Sequence, residues 1–257
     1  MFPILQIGPL AIQVPGLVII AGLWLGLTLS EHRAKKHGEN PSVLYNLVFI
    51  AIISGVVGAR LAYALSYPDA FAENPSSLLS INLGLFDPFS GALVAAGAIL
   101  IYGVRKQLPL WKTLDSITPL LAVLAISVGL SHLASGSSFG APTEVPWGIH
   151  LWGTIRHPTQ IYEIVFATLI LFVIIGIDST EWGQSPGMLF LTFISLSAAS
   201  RMLIEAFRGD SMLIGDGFRI AQIVSWVILA CCLVLIGRRI QPRETRNVPA
   251  DFSPSNK

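Results

Sequence analysis

Apolar runs of 17 to 22 residues, separated by short polar stretches, set the pattern of this chain. A helix rises 1.5 Å per residue, so roughly 20 mostly apolar residues cross the hydrocarbon core of a bilayer. Seven segments reach or approach that length: 12–30, 44–65, 88–104, 113–133, 160–177, 187–206 and 220–237. The pattern predicts an all-α membrane protein of about seven transmembrane helices. It reads as one polytopic domain over residues 1–237, followed by a polar, disordered tail at 238–257. No internal repeat is evident, which argues against a transporter built from duplicated halves. The first sixteen residues hold no Lys or Arg, so the basic start of a cleavable signal peptide is missing and the first span is expected to stay.

Composition agrees. Of 257 residues, 53% are hydrophobic and only 12% charged, where a soluble domain carries about 25% charged residues. A net charge of +1 gives no global pull toward nucleic acid, and no nucleic-acid partner is expected. Cys231 and Cys232 adjoin inside an apolar run and nothing has metal-ligand spacing. They read as small apolar residues, and neither a metal nor a cofactor is expected.

Lys and Arg in short loops set the orientation. The first loop holds Arg33, Lys35 and Lys36, the third Arg105, Lys106 and Lys112, and the tail begins with Arg238 and Arg239. The loop from Ser66 to Asp87 has none. The amino terminus is therefore expected outside and the carboxyl terminus in the cytoplasm, in a multi-pass protein of the cell (cytoplasmic) membrane. Arg208 and Arg219 would then lie outside, against the rule. A charge misplaced for topology is a candidate for function.

Charges inside spans cost about 2.5–3.5 kcal/mol each at a helix centre, so each one needs a reason. Arg60 lies roughly 24 Å along the second span and Arg201 roughly 21 Å along the sixth. Arg201, Glu205 and Arg208 recur at i, i+4 and i+7, on one helical face. Glu163 starts the fifth span, Arg156 and His157 precede it, and His132 ends the fourth. All of these groups are expected in the outer part of the bilayer. One reading is a structural ion-pair network with Arg201–Glu205 at its core. The other counts three arginines against two carboxylates, leaving a guanidinium to grip a lipid phosphate. Both readings stand at this level, although polar groups gathered at one face rather than the midplane weigh against transport.

Several stretches together resemble the bacterial prolipoprotein diacylglyceryl transferases. Arg156-His157-Pro158-Thr159-Gln160-Ile161-Tyr162-Glu163 is similar to the family's R-H-P-[ST]-Q-L-Y-E. Gly58-Ala59-Arg60-Leu61-Ala62-Tyr63 resembles G-G-R-I-G-Y, and Arg201 to Arg208 resembles R-x-x-x-E-F-F-R. Pro142 to Gly148, Leu114 to Pro119 and Gln222 match further family stretches in order.

The resemblance implies transfer of a diacylglyceryl group from phosphatidylglycerol, or another anionic phospholipid, to the cysteine thiol of a prolipoprotein lipobox peptide. It implies catalysis by His157 and Arg201, with His132, at the end of a segment that lines the family's site, the candidate to replace the family histidine absent at Ser90, and substrate contacts by Arg60, Tyr63, Arg156, Tyr162, Glu163, Glu205 and Arg208. The chain departs from the family where H-G-G-L reads Ser90-Gly91-Ala92-Leu93, putting serine at the histidine position. The family's fourth-span signature G-R-x-x-N-F-x-N-x-E-x-x-G is also altered, with Gly129 at its arginine, His132 at its first asparagine and Ser137 at its acid. Such departures keep two alternatives in view: a lipid-handling enzyme with another acceptor, or a non-catalytic lipid-binding homologue. Ser90 is as readily a helix cap as an active residue, and Asp115 reads as a cap or loop brace.

The topology is tested with single cysteines on a background lacking Cys231 and Cys232. An impermeant maleimide added to intact cells should label positions in Ser66 to Asp87 and Ala134 to Thr159. It should spare Glu31 to Glu39, and labelling there would invert the assignment.

Overall fold

The computed structural model describes residues 4–7, 10–79, 85–214 and 217–244. The expected tail beyond Glu244 and part of the second loop, at 80–84, lie outside them. A short hairpin, β1 (Ile4–Ile7) and β2 (Leu10–Gln13), leads into α1 (Val14–Lys36). Then come α2 (Pro41–Ser66), α3 (Pro68–Glu73) and a 3-10 turn at Pro75–Leu79. Next are α4 (Pro88–Arg105) and α5 (Leu110–Ser135), followed by the hairpin β3 (Ile149–Leu151) and β4 (Thr154–Arg156). After α6 (Thr159–Ile177), α7 (Glu181–Gln184) and α8 (Met188–Glu205), a third hairpin, β5 (Leu213–Ile214) and β6 (Phe218–Arg219), runs into α9 (Ile220–Glu244).

Seven of these helices, α1, α2, α4, α5, α6, α8 and α9, are long and apolar enough to cross a membrane. Each coincides with an expected span, so the chain is an all-α multi-pass membrane protein. The largest differences in bounds are extensions. Helix α1 runs six residues past its apolar segment and α9 seven, because backbone hydrogen bonding continues where apolarity stops. Asp115, expected at a cap, is instead buried five residues inside α5.

The chain divides into two compact units, residues 30–117 and residues 1–29 with 118–257, and each is taken by itself. In the smaller unit α2 packs on α4 through small residues. A methyl group on Gly91 would stand 2.8 Å from both the Gly55 carbonyl oxygen and Ala59 Cβ. Close approach of this kind replaces hydrophobic sorting inside a bilayer, where lipid tails are as apolar as leucine. The Asp87 N–H donates to the Ala59 carbonyl at 3.0 Å, fixing the start of α4 against α2. The Asp87 side chain then caps α4 by accepting from the N–H groups of Phe89 and Ser90.

In the larger unit, α1 meets α5 through Gly22 and Gly26, a G-x-x-x-G pair that the periodicity reading passed over. A methyl on Gly22 would collide with Ser127, and one on Gly26 would sit 2.8 Å from Leu120 Cδ1. Ala122, Ile170, Ile174, Leu189 and Phe193 form a core shared by α5, α6 and α8, and α9 packs along α8.

Gly91→Ala should therefore destabilise the protein in detergent by roughly 1–3 kcal/mol, the usual cost of overpacking. Gly97→Ala, where nothing lies within 4 Å, should be neutral or slightly stabilising through helix propensity. Equal unfolding temperatures for the two variants would refute tight α2–α4 contact at Gly91.

Candidate functional site

The larger unit gathers its ionisable side chains at one end of α5, α6 and α8. Three backbone segments set them there. Residues 139–143 run between the end of α8 and the strand β4: the N–H of Ala141 donates to the Phe207 carbonyl at 2.8 Å, and that of His157 to the Ala141 carbonyl at 3.0 Å. The Gly209 N–H reaches the Phe139 carbonyl at 3.0 Å. Gly140 is required, because any Cβ there would strike the His157 backbone. Thr159 and Gln160, both buried, donate to the carbonyls of Ser138 (2.7 Å) and Ser137 (2.9 Å). Much of the R-H-P-T-Q-I-Y-E stretch thus works by holding this loop against α6.

Glu163 stands at the centre. Its Oε2 lies 2.8 Å from His132 Nδ1, and its Oε1 accepts from Arg208 Nη1 at 2.9 Å and Arg201 Nη1 at 3.4 Å. An ionised carboxylate can only accept, so beside Glu163 the Nδ1 of His132 is assigned as the donor. Glu205 Oε2 stands 3.1 Å from Arg201 Nη2 and 3.8 Å from Arg208 Nε, held by charge without an aligned hydrogen bond. Five expected residues, His132, Glu163, Arg201, Glu205 and Arg208, therefore form one array.

Within this unit a third carboxylate, Asp210, joins the two expected. Asp210, two residues past Arg208, accepts from Arg208 Nε at 2.9 Å and Nη2 at 2.8 Å, a side-on fork. Arg219 gives its Nη1 to the carbonyls of Glu205 and Arg208 and to Ser211 Oγ. Asp210 escaped sequence reasoning because it lies beyond the helical face that pointed to its neighbours, while Arg219 was signalled only by lying against the loop-charge rule. The one available signal was the run Arg208-Gly209-Asp210, an acid within reach of an arginine across a glycine.

Beside the array α5, α6 and α8 line an open groove of about 250 Å³. His132, Glu163, Ser200 and Arg201 line its polar end, and Val128, Ala167, Ile170 and Phe193 its apolar part. Arg201 is 39% exposed and Arg208 8% exposed, so Arg201 is the more open of the two guanidiniums.

The other expected residues are held differently. His157, Tyr162 and Phe207 form an aromatic group, with His157 Nδ1 3.4 Å from the Tyr162 hydroxyl and the Trp147 indole N–H donating to it at 2.8 Å. Arg156 donates to the carbonyls of Leu151 and Gly140, both at 3.2 Å, and lies over Phe139. In the smaller unit Arg60 is buried, donating to the carbonyls of Leu78 (3.1 Å), Leu85 (2.6 Å) and Ser77 between the rings of Phe71 and Phe86. Tyr63 stacks on Tyr67 at 4.8 Å. Ser90 takes the cap role: its hydroxyl donates to Asp87 Oδ2 at 2.9 Å, and the Ser90 hydroxyl and N–H hold the Asp87 carboxyl below its usual range. Among the described residues no three or more His, Cys, Asp or Glu side chains meet in a way that could hold a metal ion.

Seven helices able to cross a membrane, and in the larger unit an arginine–carboxylate array beside an amphipathic groove at one end of α5, α6 and α8, mark a multi-pass membrane protein. Residues 3–238 match the family model described as prolipoprotein diacylglyceryl transferase, and the chain belongs to that family. It is 28% identical over 237 residues to the phosphatidylglycerol–prolipoprotein diacylglyceryl transferase of Trichormus variabilis, covering 86% of this chain and 83% of that protein. It is 29% identical over 245 residues to the enzyme of that name from Symbiobacterium thermophilum, covering 90% of each. The protein of that name from a Synechocystis species is 30% identical over 249 residues, covering 90% of this chain and 85% of its own length.

The family's arginine in the fourth span cannot simply be restored here. A Cβ on Gly129 would stand 2.9 Å from Ile164 Cγ1, 3.3 Å from the Ile164 nitrogen and 3.5 Å from Glu163 Cβ. Gly129→Arg should push α6 away at Glu163, lower stability by about 1–3 kcal/mol and free the His132 ring. Thermal unfolding together with the ¹⁵N shift of His132 Nδ1 would report both effects. Gly176→Ala on α6, with nothing within 4 Å, serves as the neutral control.

Proposed function

We propose that this protein moves the diacylglyceryl group of phosphatidylglycerol, or of another anionic phospholipid, onto the cysteine thiol of a prolipoprotein lipobox peptide, releasing glycerol phosphate. The observation that carries the reading is the bond from His132 to Glu163 at the polar end of a groove that Arg201 also lines. Family membership over residues 3–238 and the names of the relatives support it. The orientation inferred from loop charge would set the reaction at the outer face of the cell (cytoplasmic) membrane, with the amino terminus outside and the carboxyl terminus in the cytoplasm.

The steps follow from the groups present. Glu163 fixes the Nδ1–H tautomer of His132, so Nε2 accepts the thiol proton. The resulting thiolate attacks the glyceryl carbon: the S–C bond forms, the C–O bond to phosphate breaks, and the electron pair leaves on the phosphate oxygen. Arg201, with Arg208 behind it, meets the charge that grows there. The proton on His132 then passes to water or to the departing phosphate. His132 fills the part that the family's histidine would otherwise play, since Ser90 is engaged in capping α4. His157 and Tyr162 frame the rim of the site and Arg156 braces the backbone beside it through the carbonyls of Leu151 and Gly140, while Arg60 holds carbonyls within the smaller unit. A groove of about 250 Å³ admits a headgroup and the near glyceryl carbons, so both acyl chains stay in the surrounding lipid.

The test incubates purified protein with phosphatidylglycerol labelled in both glycerols and a lipobox peptide. Diacylglyceryl label on the peptide is the expected result. Turnover without labelled peptide would mean a different acceptor, and bound but unconverted lipid a non-catalytic homologue. A thiol of pKa about 8.5 is only a few per cent ionised near neutrality. His132→Gln should therefore reduce transfer more at about pH 6.5 than at about pH 8.5, where the thiol ionises unaided. A uniform loss would make His132 structural, and no loss at all would remove it from the reaction.

A further inference from the structure

The ion pairs of the larger unit's array join Arg201 and Arg208 to Glu163, Glu205 and Asp210, with Arg219 on the neighbouring carbonyls, so both ion-paired arginines already have carboxylate partners. A phosphodiester is a monoanion. Seating one on these arginines would leave an extra negative charge in a half-buried site, where uncompensated charge is costly. One of the acids has to yield.

Glu205 cannot yield, because its side chain is 2% exposed and sits between two guanidiniums on a helix. Glu163 is 13% exposed and holds His132, Arg201 and Arg208 together. Asp210 differs on every count. It is 27% exposed, it lies past the end of α8 on the bend leading to β5, and Arg208 alone among the described residues bonds its carboxylate. Its bond geometry is also telling. Nε donates to Oδ1 and Nη2 to Oδ2, the same two-toothed edge that phosphate oxygens accept.

We propose that Asp210 is a resident stand-in for the lipid phosphate, occupying the Nε–Nη2 edge of Arg208 and giving it up when an anionic headgroup enters. Anionic selectivity is then a competition within one arginine fork, and the returning carboxylate helps to expel the phosphate product. Arg208 keeps its Nη1 bond to Glu163 throughout, so the guanidinium need not move. The proposal rests on reading the array as an anionic-lipid site. It goes further by naming the residue that sets the affinity of that site.

The alternative is a fixed brace, with Asp210 merely aiming Arg208, and the two predict opposite signs. Asp210→Asn, purified full-length in detergent, is titrated with short-chain phosphatidylglycerol, short-chain phosphatidylcholine and free glycerol phosphate by calorimetry. Affinity for phosphatidylglycerol should rise roughly fivefold, about what an exchanged surface ion pair is worth, with phosphatidylcholine unchanged. Weaker or equal binding of phosphatidylglycerol by the folded variant would overturn the competition and make Asp210 a brace. Tightening confined to free glycerol phosphate would overturn the assignment to a lipid headgroup. Wild-type protein that binds both lipids equally would overturn the anionic-lipid reading itself, and the competition with it. Asp210→Ser, smaller and uncharged, gives the same discrimination if the asparagine variant does not fold.

Discussion

A single carboxylate holds the functional end of this protein together. Glu163 meets a histidine from α5 and two arginines from α8 and the turn beyond it, so three chain segments share one acceptor. Removing one partner of a buried ion pair costs about 3–5 kcal/mol, because the rest is left charged and unsolvated. That asymmetry explains why so much nearby backbone is committed to placing one side chain. Thr159 and Gln160 tie α6 to the loop after α5, and Gly129 lets α5 approach α6 one turn below His132. Gly140 and Gly209 let three strands of chain pass at backbone distance behind Arg208.

Small residues perform the complementary task inside the bilayer. Where lipid tails solvate a leucine as well as another helix does, attraction between helices comes from close contact and hydrogen bonds. Gly55, Ala59 and Gly91 supply that contact between α2 and α4, and Gly22 and Gly26 supply it between α1 and α5.

Span number and approximate position were legible in the sequence because apolar length is the property a bilayer selects. The array was legible in part because Arg201, Glu205 and Arg208 repeat at the helical period and Glu163 falls at a helix start. Charge balance was not legible. Asp210 lies on a bend with no period, and its pairing with Arg208 depends on how the chain turns at Gly209. The second and third hairpins were missed because two- and three-residue strands carry no alternation that could be recognised. Arg60 and Arg156 show a further limit: a buried arginine can spend its donors on carbonyls, which leave no mark in a sequence.

The departures from the family pattern look different once distances are known. Serine at position 90 does not leave a gap, since it completes the cap of α4. Glycine at 129 does not merely lack an arginine; it provides the clearance by which α6 comes close enough for Glu163 to reach His132. An arginine there would add a charge to the array but push away the carboxylate that the array is built on. A histidine at 132 with its Nδ1 fixed by a carboxylate is, in turn, a group able to move a proton. The substitutions at 129 and 132 are therefore coupled through Glu163, and neither makes physical sense alone. On the proposed reading, proton transfer has been rehoused on α5 instead of lost with the histidine of α4.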